Sequence, residues 1–233
     1  MLYELRLYTA VPGRLQDIQA RFRDHLPRLM AKHGIDQVAR WTATAGPNAP
    51  LFVYMMAYDD LAQREMQWDA FYQDDEWWKI RSTTNAGEQM VERYDLFFLR
   101  PGRAWQATPR LSDERIGGVH ELVFSEVALG HDAEAADFLQ SVYLPAVRRE
   151  GGDILMVADF VAGCHMPRLA MIIAWPDANT REAGRRAVDG DVAVREAQRK
   201  ERQSMGRTSL GRTTVYVLEP TDFALPLASL GYR

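Results

Sequence analysis

Three polar side chains near the start of the chain stand at a spacing that could bring them together on one ligand. Glu4, Arg6 and Tyr8 occupy every second position of a short segment whose intervening residues are apolar. Alternate side chains of a β-strand leave the same face, so these three would lie side by side. An arginine there can hold the negative charge of an enolate, and a glutamate can move a proton. We therefore expect this polar face to line a cavity and the apolar face to meet helices.

The same pattern also allows a purely structural interpretation. A glutamate and an arginine two positions apart in a low-dielectric interior attract each other strongly and could brace the protein as a buried ion pair. In the second half of the chain Glu121 repeats the glutamate, whereas Val123 stands where the arginine would be. Under the catalytic hypothesis Arg6 stabilises enolate charge and Glu4 or Glu121 transfers the proton. Under the structural hypothesis these residues only hold the fold.

A second segment of the first half is rich in aromatic and methionine side chains. Residues Leu51 to Tyr58 are apolar throughout, and Tyr54, Met56 and Tyr58 share one face of the predicted strand. We expect this face, with Trp41 from the preceding strand, to form the wall of the cavity. Flat aromatic walls with a few hydroxyl groups suit a planar, partly hydrophobic ligand such as a polyketide or a phenolic metabolite.

Another aromatic group follows at helical spacing. Trp68, Phe71, Tyr72 and Trp78 fall on one stripe of a predicted helix. A stripe of this kind is typical of a helix face that packs into the core. We therefore expect these residues to be core rather than site.

The elements that would position these residues occur twice in the chain. Five sequence blocks recur in the same order at offsets of 117 to 119 residues, and one of them aligns Asp59 with Asp177. Alternation predicts strands and three-to-four spacing predicts helices, which gives each half the order βαββαβ. That order is the ferredoxin-like unit. The predicted parts are a first repeat (1–102), a linker (103–117), a degenerate second repeat (118–220) and a tail (221–233).

One strand in each half, Leu51 to Tyr58 and Leu169 to Trp175, is apolar on both faces. A sheet covered by helices on one side cannot leave such a face in water. We therefore expect an α+β fold in which tandem ferredoxin-like repeats pack sheet to sheet as an α/β barrel, with the helices outside. The predicted site is a pocket in the lumen, to which both halves contribute.

The composition excludes several classes of protein. Apolar residues make up 47% of the chain, enough for a core, and 28 Lys and Arg against 32 Asp and Glu leave no basic footprint for nucleic acid. Cys164 is the single cysteine, which fits a reducing compartment. The sequence has neither a signal-peptide pattern nor an apolar run long enough for a bilayer. We expect a cytoplasmic protein that binds neither nucleic acid nor a membrane.

The chain has few residues that could hold a cofactor. It has no glycine-rich phosphate loop and no HxxxH, HExxH or carboxylate-rich cluster, so we expect neither a metal nor an organic cofactor. His120, which aligns with Tyr3, is expected on the helix side as a packing residue. Since His120 and His131 lie near predicted element edges of the second half, haem binding stays open as an alternative.

The first half is similar to a known family. The resemblance covers residues 1 to about 101 and lies in Tyr3 to Tyr8, Pro12 to Arg14, Phe52 to Asp60, Arg64-Glu65 and Asp75 to Trp78. These segments resemble the NIPSNAP family of the dimeric α/β-barrel superfamily. The second half keeps Glu121 and the element order but lacks the arginine and the Trp-Trp pair. The resemblance implies the barrel fold and a small-molecule pocket, in a superfamily with cofactor-independent monooxygenases, isomerases and haem-dependent members.

The leading hypothesis is a cofactor-independent enzyme that oxygenates or isomerises an aromatic or polyketide-like metabolite, with Tyr8 or Tyr54 orienting its ring. One alternative is a non-catalytic, NIPSNAP-like binding or interaction protein, and another is a haem-binding barrel. A doubled chain can close the barrel alone. We therefore expect a monomer with an internal pseudo-dimer, or a homodimer.

Overall fold

Eight antiparallel strands carry the architecture of the chain. The computed structural model describes residues 1–104 and 118–222. The strands are β1 (Leu2–Ala10), β2 (Asp36–Ala45), β3 (Leu51–Tyr58), β4 (Val91–Pro101), β5 (Val119–Val127), β6 (Asp153–Ala162), β7 (Arg168–Trp175) and β8 (Leu210–Pro220). They close into a barrel in the order β1-β3-β2-β8-β5-β7-β6-β4.

The helices lie outside this barrel, four in each half of the described chain. They are α1 (Leu15–Asp24), α2 (Leu26–Lys32), α3 (Leu61–Tyr72), α4 (Asp75–Asn85), α5 (Asp132–Phe138), α6 (Leu144–Arg149), α7 (Ala178–Gly190) and α8 (Val192–Met205). A π-helical turn, Leu139–Tyr143, joins α5 to α6. Among the described helices, none combines the length and the apolar character that a membrane crossing requires.

The two repeats share one continuous sheet. In the first half β1 pairs with β3 and β4, and in the second half β5 pairs with β7 and β8. The edges meet where β2 pairs with β8 and β4 pairs with β6, so hydrogen bonds close the barrel on both sides. The predicted α+β barrel of tandem ferredoxin-like repeats is confirmed. Edge pairing also leaves no open strand in the barrel.

The register fixes how the halves correspond. Glu4 lies opposite Met56 and Glu121 opposite Ile173, which sets the offset between β3 and β7 at 117 residues. Asp60 therefore corresponds to Asp177. Each caps its helix, since Asp60 accepts a hydrogen bond from the backbone of Gln63 at 2.8 Å and Asp177 one from Thr180 at 2.8 Å. The predicted alignment of Asp59 with Asp177 is wrong by one residue.

The predicted helices are interrupted. The first breaks at His25, ahead of Pro27, and the second breaks at Asp74, whose side chain caps α4. In the second half Asp191 ends α7 and caps α8. Each repeat thus covers its sheet with short helices rather than two long ones. Most of the predicted linker (105–117) and tail (223–233) lies outside the described residues.

The interior of the barrel is apolar and filled, contrary to the predicted lumen pocket. Side chains from both halves form one buried cluster there, including Tyr3, Leu5, Leu7, Trp41, Met55, Leu122, Phe124 and Ile172. An eight-stranded barrel has an interior just wide enough for side chains to fill. The alternation in β1 correctly predicts two faces, but the apolar face is the one that points inward. Glu4, Arg6 and Tyr8 therefore lie under the helices.

The same inversion corrects two other expectations. His120, expected on the helix side, lies in the barrel interior, where Trp41 Nε1 donates a hydrogen bond to its Nδ1 at 2.9 Å. Trp41, expected in the ligand pocket, is part of this packed interior. Both belong to the contact between the two halves, because Trp41 is in β2 and His120 is in β5. Their role in the structure is to join the repeats.

Candidate functional site

A pocket opens in the first half, between the outer face of its sheet and helices α1, α2, α3 and α4. Its volume is about 510 Å³, within the roughly 300–1,000 Å³ typical of small-molecule sites. Its walls are mostly aromatic and come from Tyr8, Phe22, Tyr54, Trp68, Phe71, Tyr72, Trp77 and Tyr94. The breaks between the short helices position this aromatic shell over β1 and β3.

The floor of the pocket is a hydrogen-bonded group of two tyrosines and an arginine. Arg6 and Tyr54 face each other across β1 and β3. Arg6 Nη1 donates to Tyr54 Oη at 3.2 Å and to Tyr8 Oη at 3.3 Å, and Tyr54 Oη donates to Tyr8 Oη at 2.7 Å. Tyr8 thus accepts two hydrogen bonds and keeps its own proton. Its hydroxyl is positioned to donate that proton to a ligand in the pocket.

The guanidinium of Arg6 is buried behind these tyrosines, with 3% of the side chain exposed. It lies 4.2 Å from the centre of the Trp68 ring, and Glu4 binds its other edge. Burial by itself would lower the pKa of Arg6, but the Tyr54 and Tyr8 oxygens and the Glu4 carboxylate together hold that pKa above its ordinary value. The Arg6 guanidinium therefore stays charged and paired with Glu4, one hydrogen bond below the ligand space.

Glu4 is completely buried and takes part in the ion pair rather than in the pocket wall. Its Oε1 pairs with Arg6, and its Oε2 accepts a hydrogen bond from Arg64 Nε of α3 at 2.8 Å. Both carboxylate oxygens are therefore occupied by guanidinium groups. This geometry favours the structural interpretation of Glu4, which fixes Arg6 from behind and ties β1 to α3. Proton transfer by Glu4 stays a prediction.

The pocket tyrosines are held in their neutral form. Burial raises the pKa of Tyr54 well above its ordinary value, and the nearby positive charge of Arg6 opposes this only in part. Burial likewise raises the pKa of Tyr72, which stands above the floor on α3. At neutral pH both hydroxyls therefore keep their protons: Tyr54 donates its proton to Tyr8, and Tyr72 can donate to an electron-rich ligand.

At the corresponding position of the second half, the glutamate is retained but apolar side chains replace the arginine and the tyrosine. Glu121 repeats the ion pair between strand and helix that Glu4 forms with Arg64, which we call the brace. Its Oε1 pairs with Arg181 of α7 at 2.7 Å, and its Oε2 accepts a hydrogen bond from Trp175 Nε1 at 3.1 Å. Val123 replaces Arg6, and opposite it Met171 replaces Tyr54. These two side chains pack into a buried apolar cluster with Leu139 of the π-helical turn, Val147 and Trp175. Side chains thus occupy the space that is open in the first half.

The structure brings together three of the predicted site residues, namely Arg6, Tyr8 and Tyr54. Met56 and Tyr58 share the face of Tyr54 as predicted but lie beneath the pocket wall. Tyr58 Oη accepts a hydrogen bond from Trp68 Nε1 at 2.8 Å and donates to Met56 Sδ at 3.4 Å. Their contacts are with the protein, so they support Trp68 rather than a ligand. Trp41 and Glu121 are remote from the pocket, one in the barrel interior and one in the second half.

Sequence reasoning missed the helical side of the pocket. Trp68 and Phe71 of the stripe that was expected to be core are buried in the core cluster of this half, as expected, and with Tyr72 they also line the pocket. Tyr72 and Trp78 are exposed, contrary to that expectation. Two arginines, Arg21 of α1 and Arg81 of α4, also line the pocket. The signal for them was weak, because an arginine on an amphipathic helix is most often solvated. Only the helix breaks turn these side chains toward a common cavity.

A NIPSNAP family model matches residues 3–104. No curated protein matches the sequence. A solved NIPSNAP domain protein from Burkholderia xenovorans is 22% identical and aligns over 44% of this chain and 95% of its own, with a TM-score of 0.38.

Two solved structures align with nearly the whole chain. An anthrone oxidase-like protein is 11% identical and covers 97% of this chain and 93% of its own, with a TM-score of 0.60. A candidate monooxygenase from Lactobacillus acidophilus is 10% identical and covers 96% of this chain and 97% of its own, with a TM-score of 0.56. At these identities the likeness establishes the doubled barrel fold and nothing about the reaction.

Proposed function

We propose that the chain, whose residues 3–104 match the NIPSNAP family model, is a small-molecule enzyme whose chemistry takes place in the pocket of the first half. It acts on an aromatic or polyketide-like metabolite by oxygenation or isomerisation and uses no organic cofactor. The observation that carries this proposal is the group of Arg6, Tyr8 and Tyr54 at the floor of an aromatic pocket. The two full-length neighbours share the doubled barrel fold, and one of them is named anthrone oxidase-like.

The walls select a flat ligand. Phe22 and Tyr54 face each other with ring centres 4.6 Å apart, and Phe71 and Trp77 pack with centres 5.0 Å apart, so their rings hold each other in place. A rigid aromatic wall binds a planar ring system without ordering new side chains. The volume of about 510 Å³ has room for several fused rings. Tyr8 and Tyr54 present hydroxyls to the polar edge of such a ligand.

The floor stabilises negative charge on a ligand oxygen. Tyr8 donates its free proton to that oxygen, while Tyr54 and the Arg6 guanidinium polarise the Tyr8 hydroxyl from behind. Loss of a proton from an activated carbon of the substrate to water then leaves an enolate whose charge rests on the bound oxygen. Donors that the protein holds in fixed positions are well suited to this task. Arg6 acts through the tyrosines, so it is a positioning residue.

The enolate has two possible fates. In oxygenation its carbon bonds to O2 and becomes a hydroperoxide, which loses water to leave a carbonyl, so that CH2 and O2 become C=O and H2O. The substrate is oxidised and O2 is the electron acceptor. In isomerisation a proton returns to a different carbon and no O2 is used. Oxygen uptake separates the two.

Haem is a poor fit to this pocket. The described residues that line it include no histidine. His120 lies in the packed barrel interior, and His131 pairs with Glu134 at the start of α5. The haem alternative therefore receives no histidine ligand from this pocket.

The proposal is tested by oxygen uptake of the purified protein with anthrone as the probe. We expect O2 consumption with formation of the quinone, and a Tyr8→Phe variant should lower kcat by about a hundredfold, as the loss of one donor to a developing oxyanion does. The matched control is Tyr143→Phe, because Tyr143 is also a buried tyrosine bound to an arginine, at 2.7 Å from Arg185 Nη1, but lies in the second half. The control should keep its rate.

Of three further results, the first and the last would contradict the proposal, and the second would select one of its two reactions. Equal rates in wild type and Tyr8→Phe would show that the group of Arg6, Tyr8 and Tyr54 takes no part in the reaction. Turnover without O2 uptake would select isomerisation over oxygenation. Tight binding of anthrone without any turnover would identify the chain as a binding protein, the non-catalytic alternative.

A further inference from the structure

We propose that the first-half pocket contains an anion subsite formed by Arg21 and Arg81, so that its substrate is an aromatic or polyketide-like carboxylate. This inference rests on the proposed function and names the substrate class. Arg21 belongs to α1 and Arg81 to α4, and both line the pocket. They converge from two helices on the side opposite the sheet.

Arg21 is a buried cation with neutral partners only. Its side chain is 8% exposed. Its Nε donates to Thr84 Oγ1 at 2.7 Å, and its Nη2 donates to the side chains of Asn85 and Met90. Within residues 1–104 and 118–222, no carboxylate lies within ion-pair distance of it, and its Nη1 makes no hydrogen bond to protein. A buried charge in proteins is normally paired.

A second positive charge adds to this one. Arg81 is half-buried, lies 5.4 Å from the centre of the Trp78 ring, and forms no ion pair among the described residues. Burial lowers the pKa of Arg21 to about 10, and the charge of Arg81 contributes to that lowering. Arg21 therefore stays charged at neutral pH and is repelled by the Arg81 guanidinium. An anionic group between them would relieve that repulsion.

The acidic residues near this pair are engaged elsewhere. Asp17 lies one turn before Arg21 on α1 but pairs with Arg14, and Glu92 at the rim pairs with Arg93. In the pocket floor the charge of Arg6 is matched by Glu4, so that site is neutral overall. The contrast leaves Arg21 and Arg81 as the unbalanced positive charge of the pocket.

The chemistry of the ligand follows from this arrangement. A guanidinium with free N–H groups matches the two oxygens of a carboxylate. Trp77, whose ring centre lies 5.6 Å from the Arg21 guanidinium, belongs to the aromatic wall beside it. A ligand with an aromatic ring system and an attached carboxylate would satisfy both the wall and the charge. Its phenolic or enolic edge would then reach Tyr8.

The test compares two probes of nearly the same shape, anthracene-9-carboxylate and its neutral carboxamide. Binding is followed by calorimetry at low and at physiological salt. We expect the wild-type protein to bind the carboxylate roughly tenfold to a hundredfold more tightly than the carboxamide, as expected for hydrogen bonds to a charged group. Arg21→Gln and Arg81→Gln should each reduce that preference and leave carboxamide binding unchanged.

Arg186→Gln is the control, since Arg186 is an exposed arginine of the second half. Arg81→Gln keeps the test valid if Arg21→Gln fails to fold, because Arg81 is only half-buried. Equal affinities of the two probes in the wild type would overturn the anion subsite and leave the proposed function standing. Binding of neither probe would overturn the aromatic ligand class, and with it both proposals.

Discussion

The two halves of the chain share a scaffold and a brace but differ in what lies above the brace. In both, a glutamate of the central strand pairs with an arginine of the helix that follows the third strand, Glu4 with Arg64 and Glu121 with Arg181. Only the first half adds Arg6 between two tyrosines and leaves a space over it. The repeated pair therefore stabilises the fold, and the unrepeated residues are those that could act on a ligand.

This comparison separates the structural role of Glu4 from the proposed ligand-binding role of Arg6 and Tyr8, although all three belong to one alternating pattern in β1. The sequence motif of β1 contains both a structural residue and pocket residues. Because the second half keeps Glu121 while Val123 and Met171 replace Arg6 and Tyr54, it serves as an internal control. Removal of the shared brace should affect stability in either half, and removal of the unshared group should affect only the first-half chemistry.

The largest expected effect concerns the brace. Glu4→Gln leaves the buried Arg6 without its counter-charge, although Arg64 keeps Glu65, and should lower the free energy of unfolding by about 3–5 kcal/mol. Glu121→Gln should lower it by about 1–3 kcal/mol, because its partners Arg181 and Arg185 are both partly exposed and Val123 stands in place of the buried Arg6. Urea unfolding of both variants measures the difference. A larger loss for Glu121→Gln would contradict the assignment of Arg6 to the same ion-pair group.

The next effect tests whether the second half is filled. A Cβ at Gly184 would lie 2.4 Å from Cζ3 of Trp175, which is completely buried and cannot move aside. Gly184→Ala should therefore lower the free energy of unfolding by about 1–3 kcal/mol through overpacking. Gly190→Ala, at the end of the same helix with nothing within 4 Å, is the matched control and should be neutral or slightly stabilising.

The same urea series decides this point. If Gly184→Ala is as stable as the control, the second half has unfilled space next to Trp175. The second half would then have space between its helices and its sheet, as the first half has, and could hold a second ligand site.

The smallest expected effect is a change in kcat when Arg6 is replaced, because Arg6 acts on the ligand only through the tyrosines. Arg6→Val installs the residue of the second half and should lower kcat by roughly tenfold, less than the loss of a direct donor, because Tyr8 remains in place. Arg185→Val is the control, since Arg185 also donates to a buried tyrosine, Tyr143, but outside the pocket. A loss of activity in Arg185→Val equal to that in Arg6→Val would show that general destabilisation, and not the floor of the pocket, is responsible.

The sequence predicted the fold well because its repeat and its period-two strands are local patterns. The order βαββαβ in each half follows from them, and a doubled unit has few ways to bury two apolar sheet faces. The alternation in β1 also predicted that Glu4, Arg6 and Tyr8 share a face. The pattern could not predict which face of β1 points into the barrel, because Tyr3, Leu5 and Leu7 suit either a helix layer or a barrel interior.

The position of the pocket depends on contacts between distant segments. The helix stripe with Trp68 and Tyr72 has the same spacing whether the helix packs tightly or stands off the sheet. The break at Asp74 and the turn of α4 bring Arg81 toward Arg21, which is 60 positions earlier in the chain. No periodic pattern in the sequence predicts that Arg21 and Arg81 line the same pocket. The pocket could therefore be recognised only once the helices were placed.

The central claim is that the ligand binds between the helices and the sheet of the first half. A crystal structure of the protein with anthracene-9-carboxylate tests it most directly. We predict that the rings lie between Phe22 and Trp77, with the carboxylate on Arg21 and the ring edge at Tyr8. A ligand found in the barrel interior beside Trp41, or against Trp175 in the second half, would contradict the claim.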